Sequence, residues 1–348
     1  MNMKNRTKNK KILFICGSLN QTTMLYKISR NLTEYDLFFT PYYSDGLINI
    51  LVKIGFLNKT ILGGRHRKDT VKFLQSKNVQ IDDRGKRHAY DLVLTGSDAI
   101  IQNNIRNKPM VLVQEGMTEP EGWLYHLVRL FHLPRWIANT SVTGLSNTYD
   151  IFCVASHGYR DMFIKKGVQP GKIVVTGIPN FDDLANVDHS AFPHENFVLA
   201  ATTPFRETFR PENRKEFIQH CLEIANGRQL IFKLHPLENV VRAIEEIKEI
   251  APHALVFWRG NVNEMIARAD TVITQQSTCT YTAIALGKKI YSDLNTSSLK
   301  SLMPIQNGGT SAVRIAKVCQ HLIHTPIGSI LQRRKQVPQK PFSTSSDI

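Results

Sequence analysis

The chain has 348 residues, 42% of them hydrophobic, with 44 Lys and Arg against 29 Asp and Glu for a net charge of +15. This length suits two domains rather than one core, and the composition is globular rather than disordered. No apolar run is long enough for a spanning helix, and ILFIC, after the basic start MNMKNRTKNKK, is too short for a signal-peptide core.

In chain order, KILFIC (11–16) reads as a buried strand and QTTMLYKISRNL as the helix after it. YDLFFTP (35–41) is a second strand, and GGRHRKDTVKFLQSKNV a helix opened by glycines. YDLVLTG (90–96), PMVLVQEG (109–116) and YDIFCVAS (149–156) are further strands. HGYRDMFIKKGV is a helix ended by Gly167, and KIVVTG (172–177) a strand. GIPNFDDLANVDHSAFPHEN (177–196) is polar, with two prolines and no periodicity, and its 181–196 part reads as the interdomain linker. A second series follows: NFVLAAT (196–202), a helix through NRKEFIQHCLEIANG, QLIFKLHP (229–236), a helix NVVRAIEEIKEIAP and HALVFW (253–258). It continues through a helix NVNEMIARA, DTVITQQS (270–277), a helix TYTAIALG and KKIYSDL (288–294). Short β-branched runs alternating with helical segments predict βαβ units and parallel sheets. The expected organisation is an N-terminal α/β domain over 1–180, a C-terminal one over 197–325, and a basic mobile tail over 326–348.

The charge is uneven. Residues 1–90 carry a net +11 and residues 329–348 a net +3, leaving +1 for the middle. No RRM, helix-turn-helix or zinc-finger pattern accompanies it, so an anionic membrane surface or acceptor is the expected partner and nucleic acid is not. EGWLYHLVRLFHLPRWIANTS (121–141), with Trp123, Leu127, Leu130, Phe131 and Trp136 beside Arg129 and Arg135, reads as an amphipathic segment for such a surface or as core. The five scattered cysteines lack any C-x-x-C and suit a reducing cytosol.

Several chemistries are excluded by missing motifs. The loop after the first strand, CGSLNQT, is not G-x-G-x-x-G, and neither a P-loop nor a G-x-S-x-G elbow occurs. D-x-D is absent, and His126 and His132 are poorly spaced for one helical face, so no metal is expected.

Three segments together resemble the GT-B class of sugar-nucleotide enzymes: ASHGYRDMFIKKGVQPGKIVVTGIPNFDDL (155–184), FKLHPLEN (232–239) and ADTVITQQSTCTYTAIALGKKIY (269–291). The likeness is to bacterial surface-polysaccharide enzymes. These include CMP-sialic acid and CMP-Kdo transferases, CDP-glycerol glycerophosphotransferases and UDP-GlcNAc 2-epimerases. It implies an α/β GT-B fold, with two Rossmann-like domains facing across a cleft. The 2-epimerases usually carry D-S-G-G and a Glu pair where this chain has QQSTCT.

The residues have their own logic. His235 and Pro236 end a strand, where ligands of open α/β sheets bind, and Lys233 should share the His235 face. His235 either donates to a nucleotide phosphate or is a turn histidine. Ser277-Thr278 match the Ser-Ser/Thr pair by which the CMP-sugar transferases hold phosphate; alternatively they only cap a helix. Thr203 and Arg206 could meet a diphosphate, with an exposed ion pair as the alternative for Arg206. Glu115-Gly116 match the second half of the family's acidic-Gly motif, while Gln114 departs from it. Glu115 is thereby implied as general base, with Glu119 and Glu121 nearby as substitutes. The expected activity is metal-independent, inverting transfer from a nucleotide sugar, itself a substrate, to a polysaccharide or lipid-linked glycan, with no cofactor. The expected location is the cytoplasm, including the inner face of the cell membrane. Glycerophosphoryl transfer and epimerisation are the alternatives.

Overall fold

The computed structural model describes residues 9–55, 57, 60–118, 121–131, 133–186, 192–208 and 210–336. The chain divides into two compact units, Met1–Asp182 with Asn307–Ile348, and Asp183–Gln306.

In unit 1 the elements are β1 (Lys11–Cys16), α1 (Leu19–Ser29), β2 (Asp36–Pro41), α2 (Gly46–Lys53), α3 (Gly64–Ser76), β3 (Leu92–Thr95) and β4 (Met110–Val113). They continue with α4 (Trp123–Leu130), β5 (Ile151–Val154), α5 (His157–Lys166) and β6 (Ile173–Val175). Unit 2 holds β7 (Val198–Ala201), α6 (Arg214–Ala225), β8 (Leu230–Lys233), α7 (Val240–Ile250) and β9 (Leu255–Phe257). It continues through α8 (Val262–Arg268), β10 (Thr271–Thr274), α9 (Cys279–Ala285), β11 (Lys289–Ser292) and α10 (Thr296–Leu302). The chain then returns to unit 1 as α11 (Ser311–His324) and α12 (Ile327–Gln336).

Both sheets are wholly parallel, in the orders β2-β1-β3-β4-β5-β6 and β11-β10-β7-β8-β9. Helices cover both faces of such sheets, so their central strands are apolar on both sides. β3, β4, β7, β8 and β10 are buried along their whole length. In unit 2 the period of two along a strand sorts the core into two layers. Val198, Ala200 and Phe232 pack with Ile218 and Ile247, while Leu199, Ile231 and Val272 pack with Ile266 and Ala283. Local signals set the helix ends. Ser156 Oγ accepts from Tyr159 N at α5, and Gly167, at φ 108°, closes that helix in the left-handed conformation.

Three expectations need correction. The second domain does not run to 325, because Ile315, Cys319, Leu322 and Ile323 of α11 join Ile28 and Leu32 in the unit 1 core. Each such apolar side chain contributes about 1.5–3 kcal/mol on burial. The segment after Thr325 begins as helix α12, which Arg334 fastens by donating to Asp150 and to the carbonyls of Arg106 and Lys108. Residues 337–348 of the expected tail lie outside the described residues. The stretch read as a linker is built into both units. Asp182 accepts from Ser311 N at 2.8 Å in unit 1, while Phe192 is buried against Phe197 in unit 2. Residues 187–191 are not described.

Candidate functional site

The strand order of unit 2 reverses between β7 and β10, which places its topological switch point there. Ala201 and Thr274 are the last paired residues, so Thr202-Thr203 and Gln275–Thr278 leave the sheet side by side at its carboxyl edge. Two polar atoms there are buried and have no hydrogen-bond partner among the described residues, Thr203 Oγ1 and Gln275 Oε1. Native interiors satisfy nearly all such atoms, through protein, water or ligand.

His235 follows β8, next to β7. Its backbone N–H donates to Glu238 at 2.7 Å and to Thr202 Oγ1 at 3.1 Å, and its Nδ1 accepts from Leu237 N at 3.1 Å. The imidazole is thus a turn histidine whose ring nitrogen is held by backbone, with the side chain half-buried. Pro236 is exposed beside it. Lys233 is not a solvated charge. It is buried, donates to the Leu234 carbonyl at 3.0 Å, and desolvation lowers its pKa from the usual lysine value. Ser277 Oγ accepts from Cys279 N at 3.2 Å, a turn bond just before α9, while Thr278 occupies the cap position of α9 without a side-chain cap bond.

Arg206 is committed elsewhere. Its guanidinium meets Glu246 at 2.7 Å through two nitrogens, and Glu212 at 3.1 Å. The ion-pair alternative therefore describes Arg206, and the same contact lowers the Glu246 pKa below the ordinary carboxylate range. The other cation of this segment is Arg210. It lies over the Phe205 ring at 4.5 Å and donates to Gln276 Oε1 at 2.6 Å, and among the described residues no carboxylate pairs with it.

Sequence reasoning also missed what holds this edge together. Glu238 accepts from Thr202 Oγ1, from His235 N and from Arg214, tying the turns after β7 and β8 to α6. Glu212 meets Arg214 at 3.1 Å. The spacing of His235 and Glu238 in HPLE was the available signal, since a carboxylate three residues on can cap its own turn.

In unit 1 the order reverses between β1 and β3. Gly17 and Gly96 follow those strands, and a Cβ on either would collide with the Gln21 side chain. Gln21 donates to Glu115 Oε2 at 2.6 Å, and Ser18 and Asn20 donate to Oε1 at 2.6 and 3.3 Å. Glu115 is half-buried, and its ready-made donors come from CGSLNQT, a loop that sequence reasoning used only for what it lacked. Gln114 is buried and structural, bridging the Gly116 carbonyl and Ala155 N. Of the substitutes, Glu121 lies 3.5 Å from Lys166 Nζ, and Glu119 falls outside the described residues. So does His132 of the rejected His126 pair. The amphipathic segment divides. Tyr125 and Val128 are core, while Leu130, Phe131 and Leu133 are exposed.

Among the described residues no three His, Cys, Asp or Glu gather in a way that could hold a metal ion. No helix among them is long and apolar enough to cross a membrane.

These features define an α/β protein of the GT-B fold class, built from two parallel-sheet units with polar residues at strand carboxyl ends. No family profile and no curated protein sequence matches the chain. Among solved structures it is similar to the Staphylococcus aureus MnaA–UDP co-structure, at TM-score 0.56 and 13% identity, covering 91% of this chain and 98% of that one. It is similar also to a UDP-GlcNAc 2-epimerase from Neisseria meningitidis bound to UDP-GlcNAc, at TM-score 0.54 and 12% identity over 90% and 100% of the two chains. The wall teichoic acid polymerase TagF matches at TM-score 0.54 and 11% identity over 94% and 90%. At these identities the likeness is one of fold.

Proposed function

We propose that the protein is a metal-independent glycosyltransferase that takes a sugar from a nucleotide-sugar donor to a cell-surface polysaccharide or lipid-linked acceptor. The observation that carries the reading is the switch point of unit 2. There, among the described residues, two buried polar atoms lack partners, and Arg210, with no carboxylate against it, is bonded to Gln276 of the turn after the neighbouring strand β10. Such an edge offers hydrogen bonds and one fork-shaped cation to a diphosphate. Solved structures of the same fold carry nucleotides, UDP with MnaA and UDP-GlcNAc with the Neisseria epimerase. His235, Pro236, Lys233, Ser277, Thr278 and Thr203 line or support the donor site, with Arg210 in the role first given to Arg206.

In this reading Glu115 removes the proton from the attacking acceptor hydroxyl as the new glycosidic bond forms and the nucleotide leaves. Inversion at the anomeric carbon follows from a single displacement. Ser18 and Gln21 orient the carboxylate by donating to it. The protein works on the cytoplasmic side, and its basic charge draws it to the anionic face of the membrane.

Glycerophosphoryl transfer and 2-epimerisation use the same fold, as TagF and the epimerases do. Incubation with UDP-, CMP- and CDP-linked donors, followed by mass spectrometry, separates the three. Transfer yields free nucleotide and a lengthened acceptor, glycerophosphoryl transfer yields CMP from CDP-glycerol, and epimerisation changes the sugar while the nucleotide stays attached. The last outcome, without nucleotide release, overturns the transferase.

A further inference from the structure

Unit 1 contains a cavity of about 560 Å³ that none of the residues above accounts for. It lies at the amino ends of β5 and β6, where Asp150 and Lys172 precede the strands, away from the carboxyl edge that carries Glu115. Ile151, Val174, Leu322 and Ile330 give it apolar walls, the last two supplied by α11 and α12. Its volume is that of a small-molecule site.

Its charge is one-sided. Among the described residues Asp150 is the only acidic one in the lining, and its carboxylate is used up. Arg334 donates to both its oxygens, at 2.6 and 2.7 Å, and Met110 N to one at 2.8 Å. Lys172 and Arg333 remain, with the imidazole of His321. Lys172 Nζ donates to the Asn147 carbonyl at 2.7 Å, one of the three bonds an ammonium can make. It also lies over the Tyr149 ring at 5.5 Å. Among the described residues neither Lys172 nor Arg333 has a carboxylate within ion-pair distance. Burial lowers the Lys172 pKa, with nearby Asp150 opposing the shift, so an anion approaching it would further favour the ammonium.

We infer that this cavity is a second binding site, separate from the nucleotide site, for an anionic amphiphile: a phosphate-type head held by Lys172 and Arg333, and an apolar chain lying along Leu322 and Ile330. Neither half suffices. A bare anion leaves the apolar walls wet, and an uncharged chain leaves a half-buried ammonium unmatched. The site does not depend on the transferase reading, because no residue is shared with it.

Calorimetry of the full chain with octyl phosphate below its micelle-forming concentration tests the inference, with inorganic phosphate and octyl glucoside as single-feature controls. Octyl phosphate should bind once per chain, and each control at least about tenfold more weakly, the equivalent of one charge-assisted hydrogen bond or a few buried methylenes. Lys172→Met, which keeps the apolar stem, and Arg333→Gln should each weaken octyl phosphate by about tenfold. Arg333 is exposed, so that variant should keep the fold even if the change at half-buried Lys172 does not. Equal binding of octyl glucoside, equal binding of inorganic phosphate, no binding of octyl phosphate, or affinity unmoved by Arg333→Gln would each overturn it.

Discussion

Arg214 and Glu238 form an ion pair in which both side chains are buried, and through it helix α6 is joined to the turn that carries His235. The pair does not stand alone, since Glu238 also accepts from Thr202 and Arg214 also meets Glu212. A buried pair is weak support for stability taken whole, but removal of one partner strands the other. Its position suggests that it fixes geometry, holding two strand-end turns in register around the switch point.

Glu238→Ala should therefore cost about 3 kcal/mol of stability, the lower range for a broken buried pair because Glu212 still faces Arg214. Urea denaturation is the check: a lower midpoint with an unchanged slope is expected. Glu238→Gln, which can still accept from His235 N, should lose clearly less. Equal midpoints for wild type and Glu238→Ala would remove the pair from the fold's supports.

The Arg206–Glu246 pair gives a pH dependence. Its two-point contact depresses the folded-state pKa of Glu246, so its stabilisation is fully present above the unfolded carboxylate value near 4.3. It is lost as the pH falls through the lower, folded value. Thermal melts of Glu246→Gln should show a shallower acid decline than wild type and no change in the shape of the neutral region. Parallel acid limbs would show that the pair adds nothing, as for many partly exposed pairs.

Much of this was legible from sequence, and the reason is physical. Strands buried on both faces are continuous apolar runs, so MVLV, VLAA and LIFK announce themselves without alternation. That His235 and Ser277 follow strands was visible, because the apolar runs before them end in polar turns. The role of Arg206 was not visible, because its partner Glu246 comes from α7, and local sequence does not say which arginine of ATTPFRETFR will be neutralised. The return of α11 to unit 1 was hidden for the same reason. Its apolar stripe shows that it packs but not on what.

Glu115→Gln should lower turnover by about 10²–10⁴ while donor affinity holds, the usual loss for a general base. Gln also cannot accept from Ser18 and Gln21 through both of its polar atoms, so the loop after β1 should loosen slightly. Steady-state kinetics with saturating donor is the measurement. Turnover close to wild type would leave Glu115 as a structural anchor for that loop.

Membrane contact, if it occurs through unit 1, should use Leu130, Phe131 and Leu133, which are exposed, and not Tyr125 or Val128, which are core. Binding to anionic vesicles should weaken with salt, since each basic residue near an anionic leaflet contributes about 1 kcal/mol over a Debye length. Phe131→Ser should reduce sedimentation with those vesicles without shifting the melting temperature. Binding that is absent, or indifferent to both salt and Phe131, would remove the membrane role.

Nucleotide binding at the switch point of unit 2 can be read by titration calorimetry of wild type, His235→Ala and Arg210→Gln with UDP, CDP and CMP. One nucleotide should bind wild type, with affinity at least about tenfold lower in each variant, the worth of one charge-assisted hydrogen bond, and with melting temperatures close to wild type in the absence of ligand. Affinity unchanged in both variants, or no binding of any nucleotide to wild type, would contradict it.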